Sequence, residues 1–239
     1  MRATFRVLGV AIAVAVSTPL VAPGVGGTAT GIARADTPRA PLPGRTYSWS
    51  YAADTLGSAP VGTRSSSGRW AVVEDSSGTA GTASEGSAAA RLLRQQEDDD
   101  GLASHTIQFL KPWLGDQEAS VRFRIRSGEI DPSAGIAFLL DPKGKSGYLI
   151  RVSGRTQELI AHYILGGKRR DIKMVSIASP KPDEWHTLTV RRVGERIEAS
   201  YDGVLKMKLR DERFHEGNVG LWTEDDTVAD FTGLSVRSL

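Results

Sequence analysis

The chain has 239 residues, with 30 Lys and Arg residues against 28 Asp and Glu residues, a formal net charge of +2 and no cysteine. The lack of cysteine excludes disulfides, thiolate metal ligands and a cysteine nucleophile, so a hydrophobic core must stabilise the fold. A chain of this size can form such a core, because about 200 residues bury roughly 70% of their unfolded surface.

The first residues predict a secretory signal peptide. Two arginines precede an apolar run over residues 7–16, and a small-residue cleavage site ends at Ala35. The run is too short for a membrane-spanning helix, which needs about 20 apolar residues. We therefore predict a signal over residues 1–35 and a mature protein that is secreted or periplasmic.

Removal of this segment changes the electrostatic interpretation. The segment carries three arginines and no acidic residue, which leaves 27 Lys and Arg residues against 28 Asp and Glu residues. A protein that binds nucleic acid must neutralise many phosphates. The mature composition therefore gives no support for a nucleic-acid partner, and no later apolar run is long enough for a membrane span.

Proline and turn residues divide the rest of the chain. Residues 36–46 contain three prolines in a polar run and are interpreted as an entry segment. Residues 47–239 consist of short segments of alternating apolar and polar residues, spaced by about ten residues, which predicts an all-β antiparallel sandwich. Sandwiches of this length are commonly one domain. Asp202-Gly203 predicts a tight hairpin turn, because both central residues of such a turn need positive φ.

The segment at residues 120–128 has the clearest strand pattern. Val121, Phe123 and Ile125 alternate with three arginines, of which Arg124 is the middle one. Alternating residues of a strand point to opposite faces of the sheet. We therefore expect the apolar face to be buried and the arginine face to be solvated.

Residues 217–222 place a tryptophan opposite two aliphatic residues. In this segment, alternation puts Val219 and Leu221 on one face and Gly220 and Trp222 on the other. If the aliphatic residues face the core, Trp222 lies on the open face beside a glycine that leaves room for a flat ligand. The alternative is that Trp222 is a second core anchor in a region that is buried on both sides.

The acidic cluster that follows has two interpretations. Glu224, Asp225 and Asp226 could hold a structural calcium ion, because hard cations take six or more oxygen ligands, several of them from carboxylates. The same residues also fit a solvated hairpin turn, which is the interpretation that the sequence favours. No other cofactor is predicted.

The C-terminal third contains a recognisable order of residues. Its segments are Glu184-Trp185-His186-Thr187-Leu188, Tyr201-Asp202-Gly203, Gly217 to Thr223 and Val228 to Val236. This order resembles the closing strands of concanavalin A-like, laminin-G-like jelly rolls. More narrowly, it is similar to a secreted bacterial group labelled as relatives of family-sixteen glycoside hydrolases or of the 3-keto-disaccharide hydrolase domain. The resemblance implies a jelly-roll sandwich, a fold that hosts lectins, carbohydrate-binding modules, glucanases and adhesion domains.

The catalytic motif of those hydrolases is incomplete here. The resemblance leads us to expect two glutamates on one strand, separated by an apolar residue, an aspartate and a short spacer. This chain has Glu129-Ile130-Asp131 and then Pro132, with no second glutamate. Retaining hydrolysis needs two carboxyl groups about 5 Å apart. We therefore interpret this motif as a turn.

The favoured hypothesis is an exported carbohydrate-binding, lectin-like module that binds a polysaccharide or glycan as a monomer. Trp222 would stack on a sugar, and arginines on an open sheet face could bind acidic glycans through bidentate forks. Paired or merely solubilising arginines are the alternative. The ligand-binding residues that we predict are Trp222, Tyr148, Arg151 and Arg124.

Two further hypotheses stay open. The chain could be a glycoside hydrolase-like enzyme that brings carboxylates together from different strands, with Glu118, Glu158 and Glu184 as candidates. It could also be an adhesion or envelope structural domain without a small-molecule site. The missing motif leads us to favour a protein that is not an enzyme.

Overall fold

The computed structural model describes residues 43–75, 90–97 and 103–239. The predicted signal segment lies outside these ranges, as does most of the entry segment. No helix long and apolar enough to cross a membrane occurs in them.

The regular structure in the described ranges is entirely β. The strands are β1 (Thr46–Trp49), β2 (Thr63–Ser67), β3 (Trp70–Glu74), β4 (Arg91–Gln95), β5 (Ser104–Leu114), β6 (Gln117–Ser127), β7 (Ser133–Leu140), β8 (Gly147–Ser153), β9 (Glu158–Leu165), β10 (Lys168–Ser176), β11 (His186–Val193), β12 (Arg196–Tyr201), β13 (Val204–Arg210), β14 (Gly217–Glu224) and β15 (Val228–Ser238).

The strands form two antiparallel sheets. The eight-stranded sheet has the order β13-β12-β11-β6-β15-β4-β3, and β1 also pairs with β15. The seven-stranded sheet has the order β10-β9-β8-β7-β14-β5-β2. The all-β sandwich predicted from the spacing of the segments is confirmed.

The core lies between the sheets and follows the alternation read from the sequence. Val121, Phe123 and Ile125 of β6 are buried in it, as expected. Val219 and Leu221 of β14 enter the same core from the seven-stranded sheet. Each central strand therefore has one face in the core and leaves the other face free to form the outer surface of its sheet.

The turn between β12 and β13 has the predicted hairpin geometry. Asp202 and Gly203 have φ values of 49° and 76°, which a primed turn requires. The Asp202 carboxylate also accepts hydrogen bonds from the Thr187 backbone N–H and from His186 Nδ1, both at 2.8 Å. The aspartate therefore fixes the hairpin to the neighbouring strand β11.

The fold predicts an unequal response to two substitutions in β6. Phe123 is 0% exposed, so Phe123→Ala is expected to lower the free energy of unfolding by about 3–5 kcal/mol. Arg126 lies on the outer face and pairs with Asp183 at 2.7 Å while remaining exposed. Arg126→Ala should therefore cost about 1 kcal/mol or less. Urea denaturation measures both values, and equal losses would contradict this assignment of faces.

Candidate functional site

The outer surface of the seven-stranded sheet is concave. Three strands separate β10 from β14, which in a flat sheet would put these strands about 19 Å apart. Arg169 of β10 nevertheless donates to both carboxylate oxygens of Glu224 of β14, at 2.7 and 2.9 Å. The two side chains together cannot span a flat sheet of that width. The sheet therefore curves toward this surface, which we call the concave face.

Trp222 forms the floor of the concave face. It lies on the side of β14 opposite Val219 and Leu221 and belongs to an apolar cluster that is separate from the main core. This cluster is built from neighbouring strands, because β7 and β8 also point small or aliphatic residues outward here. Its members are Ala137, Leu140, Leu149 and Trp222, with Ile164 packed against them.

Two arginines cover the indole ring. The guanidinium carbons of Arg169 and Arg151 lie 5.0 and 5.6 Å from the centre of the Trp222 ring, in cation–π range. Trp222 is only 2% exposed as a result. The structure thus combines the two interpretations of this residue, because the ring is on the outer face and is also buried. A ligand on this face would meet the arginines before it met the ring.

Arg151 is held by a set of hydrogen bonds. Its Nη1 donates to Asp131 Oδ2 and to Ser133 Oγ, both at 2.7 Å. Its Nε donates to His162 Nε2 at 3.2 Å. Glu224 Oε2 lies 3.6 Å from the same Nη1. One buried cation is therefore shared between two carboxylates, one from β14 and one from the loop before β7.

His162 extends this network to β10. Because Nε2 accepts from Arg151, the neutral imidazole carries its proton on Nδ1, which lies 2.7 Å from Asp171 Oδ1. Burial, followed by the positive charges of Arg169 and Arg151, lowers the pKa of His162 to about 4, against the opposing effect of Asp171. The neutral ring thus lies between Asp171 and Arg151, in close contact with the first and hydrogen-bonded to the second.

The acidic residues considered for calcium have different partners. Glu224 pairs with Arg169, and Asp226 accepts hydrogen bonds from two backbone N–H groups in the loop before β7. Asp225 lies in the turn between β14 and β15, with a φ of 45°. In the described part of the chain, no group of three or more His, Cys, Asp or Glu side chains is arranged to hold a metal ion. Glu224 thus ends β14, and Asp225 and Asp226 form the turn that follows it. Glu224 and Asp225 are buried, so this is not the solvated turn that the sequence favoured, and calcium binding here stays a prediction.

Tyr148 is on the other face of its strand from Arg151. It is buried in the core, stacks on Phe138 at 5.3 Å and donates to Asp211 Oδ1 at 2.5 Å. The alternation of β8 gives the reason, because Tyr148 and Ile150 point inward while Leu149 and Arg151 point outward. Tyr148 therefore anchors the segment after β13 and is not part of the concave face.

Arg124 lies on the outer face of the other sheet. Its Nε donates to Asp230 at 2.8 Å and its Nη2 donates to Asp75 at 2.9 Å. Asp230 is fully buried and also accepts from Arg94 at 2.5 and 3.0 Å. Instead of the solvated arginine face that the sequence predicts, this position has a buried ion cluster that joins β4, β6 and β15.

The carboxylates proposed for an enzyme do not share one surface. Glu118 lies on β6 of the eight-stranded sheet, where it contacts Arg237 at 3.1 Å. Glu158 begins β9 of the seven-stranded sheet, and Glu184 lies in the loop before β11. These three residues are therefore distributed over both sheets and a loop.

Four residues of the concave face were not selected from the sequence. Asp131 was interpreted as part of a turn, and no sequence pattern indicated a functional role for Arg169, Asp171 or His162. The spacing of Arg169 and Asp171 places them on one face of β10. No local signal indicates that this face meets β14, because the contact depends on the curvature of the whole sheet.

Comparisons with known proteins show the class of fold. No protein-family model matches the chain, and no curated protein matches it in sequence. A solved structure of carbohydrate binding module CBM66 from Bacillus subtilis is similar, with 19% identity, a TM-score of 0.60, and coverage of 74% of this chain and 96% of that chain. The exoplasmic/lumenal domain of VIP36 in its Ca²⁺/Man2-bound form is also similar, with 12% identity, a TM-score of 0.52, and coverage of 71% and 81%. The chain thus has a concanavalin A-like jelly-roll fold.

The lowered pKa of His162 predicts a specific dependence of stability on pH. Between about pH 6.5 and about pH 4, an unfolded histidine binds a proton that the folded His162 does not bind. The stability should therefore fall as the pH drops through this range, and His162→Gln should lose part of that dependence. Melting temperatures of both proteins at about pH 7 and about pH 4.5 measure the difference. An identical drop in the two proteins would show that His162 already binds a proton in the folded state.

Proposed function

We propose that this chain is an exported, lectin-like carbohydrate-binding module that binds a polysaccharide or glycan on the concave face without cleaving it. The observation that carries the proposal is the concave face itself, in which an apolar floor lies under a connected set of donors and acceptors. The fold shared with a carbohydrate-binding module supports this proposal. The export part rests on the N-terminal signal pattern.

The chemistry of the concave face suits a sugar. A sugar presents hydroxyl groups that both donate and accept hydrogen bonds, together with apolar C–H surfaces. Arg169 supplies N–H donors and Asp171 supplies carboxylate acceptors, and both lie on the same side of β10. Sites with a mostly apolar surface and a few convergent polar groups are typical of small-ligand binding.

The same contacts disfavour hydrolysis. A retaining or inverting glycosidase needs one protonated carboxylic acid and a second carboxylate that can attack or activate water. Burial raises the pKa of Glu224, against the opposing effect of the bidentate bond from Arg169, which occupies both of its carboxylate oxygens. The pKa of Asp131 is lowered, because hydrogen bonds from Ser153 and Arg151 outweigh the effect of burial. Asp131 is therefore held in its ionised state, and protonation of Glu224 would weaken its charged hydrogen bonds to Arg169.

A substitution of Arg169 tests the proposal. Its side chain is 28% exposed, so Arg169→Ala removes donors from the concave face without opening the core. Retention on immobilised polysaccharides should fall at least about tenfold, which is the effect of losing charged hydrogen bonds. Arg210→Ala is the matched control, because Arg210 is also an exposed arginine paired with a glutamate, Glu195, but lies on β13 of the other sheet.

The outcomes of this experiment separate the three hypotheses. Retention that Arg169→Ala abolishes and Arg210→Ala preserves supports the binding module. Release of new reducing ends from a retained polysaccharide would instead indicate an enzyme. A lack of retention on every polysaccharide in the panel would reject the proposal and leave the structural or adhesion domain.

A further inference from the structure

On the basis of the proposed function, we infer that the ligand of the concave face is a neutral glycan, recognised through adjacent hydroxyl groups at Asp171 and Arg169, and not a uronic acid or a sulfated sugar. The argument rests on the balance of charge, on the occupancy of the arginine donors and on the exposure of the charged groups. It differs from the sequence-based expectation that arginines on this face would bind acidic glycans.

The connected network has an excess of negative charge. Among the described residues that it joins by contact, two are arginines, Arg151 and Arg169, and three are carboxylates, Asp131, Asp171 and Glu224. His162 is neutral near pH 7. An anionic ligand would therefore approach a group of side chains with a net charge of about −1, which disfavours its binding.

The neighbouring basic residues of β10 do not reverse this balance. Arg170 is paired in register with Tyr163, whose side chain packs against the main core, so Arg170 points away from the concave face. Lys173 donates to the Lys208 backbone carbonyl in the other sheet at 2.9 Å. The register of β10 shifts between Asp171 and Lys173, which pairs Lys173 with Ala161 of the main core, so Arg169 and Asp171 are the charged residues that β10 contributes to the concave face.

Some of the arginine donors that an acidic sugar would use are already occupied by carboxylates. Carboxylates and sulfates bind arginine through a fork of two N–H groups. Arg169 already uses Nη1 and Nη2 to hold Glu224, and Arg151 uses Nε and Nη1 for His162, Asp131 and Ser133. An incoming anion would therefore compete with the carboxylates that already hold these arginines, and a carboxylate that lost its partner would be buried at a large cost.

Exposure identifies the groups that a ligand can reach. The Asp171 side chain is 56% exposed and that of Arg169 is 28% exposed, whereas those of Arg151 and Glu224 are 8% and 10% exposed. The most accessible group is thus a carboxylate, which only accepts hydrogen bonds. A sugar hydroxyl can donate to it, while an ionised carboxylate or sulfate cannot. The accessible part of the network therefore selects hydroxyl groups.

Pairs of polymers with the same backbone test the inference. The probes are immobilised dextran against dextran sulfate, and methyl-esterified pectin against polygalacturonate, within a wider panel of neutral plant and microbial polysaccharides. The full-length mature protein should be retained by one or more neutral polymers and by none of the acidic ones. Salt screens the attraction between exposed charges, and a neutral glycan is not held by such attraction. The retention should therefore change little when the salt concentration is raised.

Asp171→Asn gives results of opposite sign for the two kinds of ligand. With a neutral glycan, loss of a charged acceptor should weaken retention about tenfold. With an acidic glycan, removal of a repelling charge should strengthen retention. Asp183→Asn is the matched control, because the Asp183 side chain is 59% exposed and pairs with Arg126 on the eight-stranded sheet. It should leave retention unchanged.

The possible failures can be distinguished. Salt-sensitive retention on the acidic polymers alone, strengthened by Asp171→Asn, would overturn the inference and leave the proposed binding function in place. Retention on no polymer at all would reject the proposed function itself. If Asp171→Asn lowers the melting temperature strongly, the preference of the unchanged protein for the neutral or the acidic member of each pair still decides the inference.

Discussion

The concave face depends on one constraint, which is that a buried charge must be paired. Transfer of a single ion out of water costs several kcal/mol even after the protein relaxes. Arg151 and Arg169 lie over an indole ring, so each needs a carboxylate at a fixed place. Asp131 and Glu224 fill those places from a loop and from β14. The pairing therefore connects β8, β10, β14 and the loop before β7 into one surface.

The pairing of arginines with carboxylates has a different consequence on the eight-stranded sheet. Asp230 is fully buried between Arg94 and Arg124, so its carboxylate joins strands to each other and is closed to a ligand. On the concave face, by contrast, Asp171 and Arg169 keep a substantial part of their side chains in solvent. The accessible carboxylate of the concave face is Asp171, which contacts His162 and is 56% exposed, whereas Asp230 is 0% exposed. The exposure of the carboxylate makes the difference, because the arginine side chains are similarly exposed, at 27% for Arg94 and 28% for Arg169.

Local alternation explains what could be predicted from the sequence. It placed Val121 and Phe123 in the core and set Trp222 on the opposite face of β14 from Val219 and Leu221, and the structure agrees. It could not predict that Arg169 meets Glu224, because that contact spans three intervening strands and requires the sheet to curve.

A second limit concerns loops. The position of Asp131 outside any strand was predicted correctly from the proline that follows it, but its contact with Arg151 was not predicted. Turn residues indicate where a strand ends, whereas the partner of a loop side chain depends on the tertiary fold. The candidate site consists mainly of such long-range contacts, and this is why the fold was easier to predict than the site.

The paired network also explains why binding fits this face better than catalysis. Side chains held by ion pairs lose little rotamer freedom when a ligand arrives, so less of the binding energy is lost to ordering them. Catalysis of glycoside cleavage needs a carboxyl group that gives up and regains a proton during the reaction. Arg169 and Arg151 oppose protonation of Glu224 and Asp131, because each proton gained would break a charged hydrogen bond. The contacts that make the surface rigid thus oppose the proton transfer that hydrolysis requires, although burial raises the pKa of Glu224.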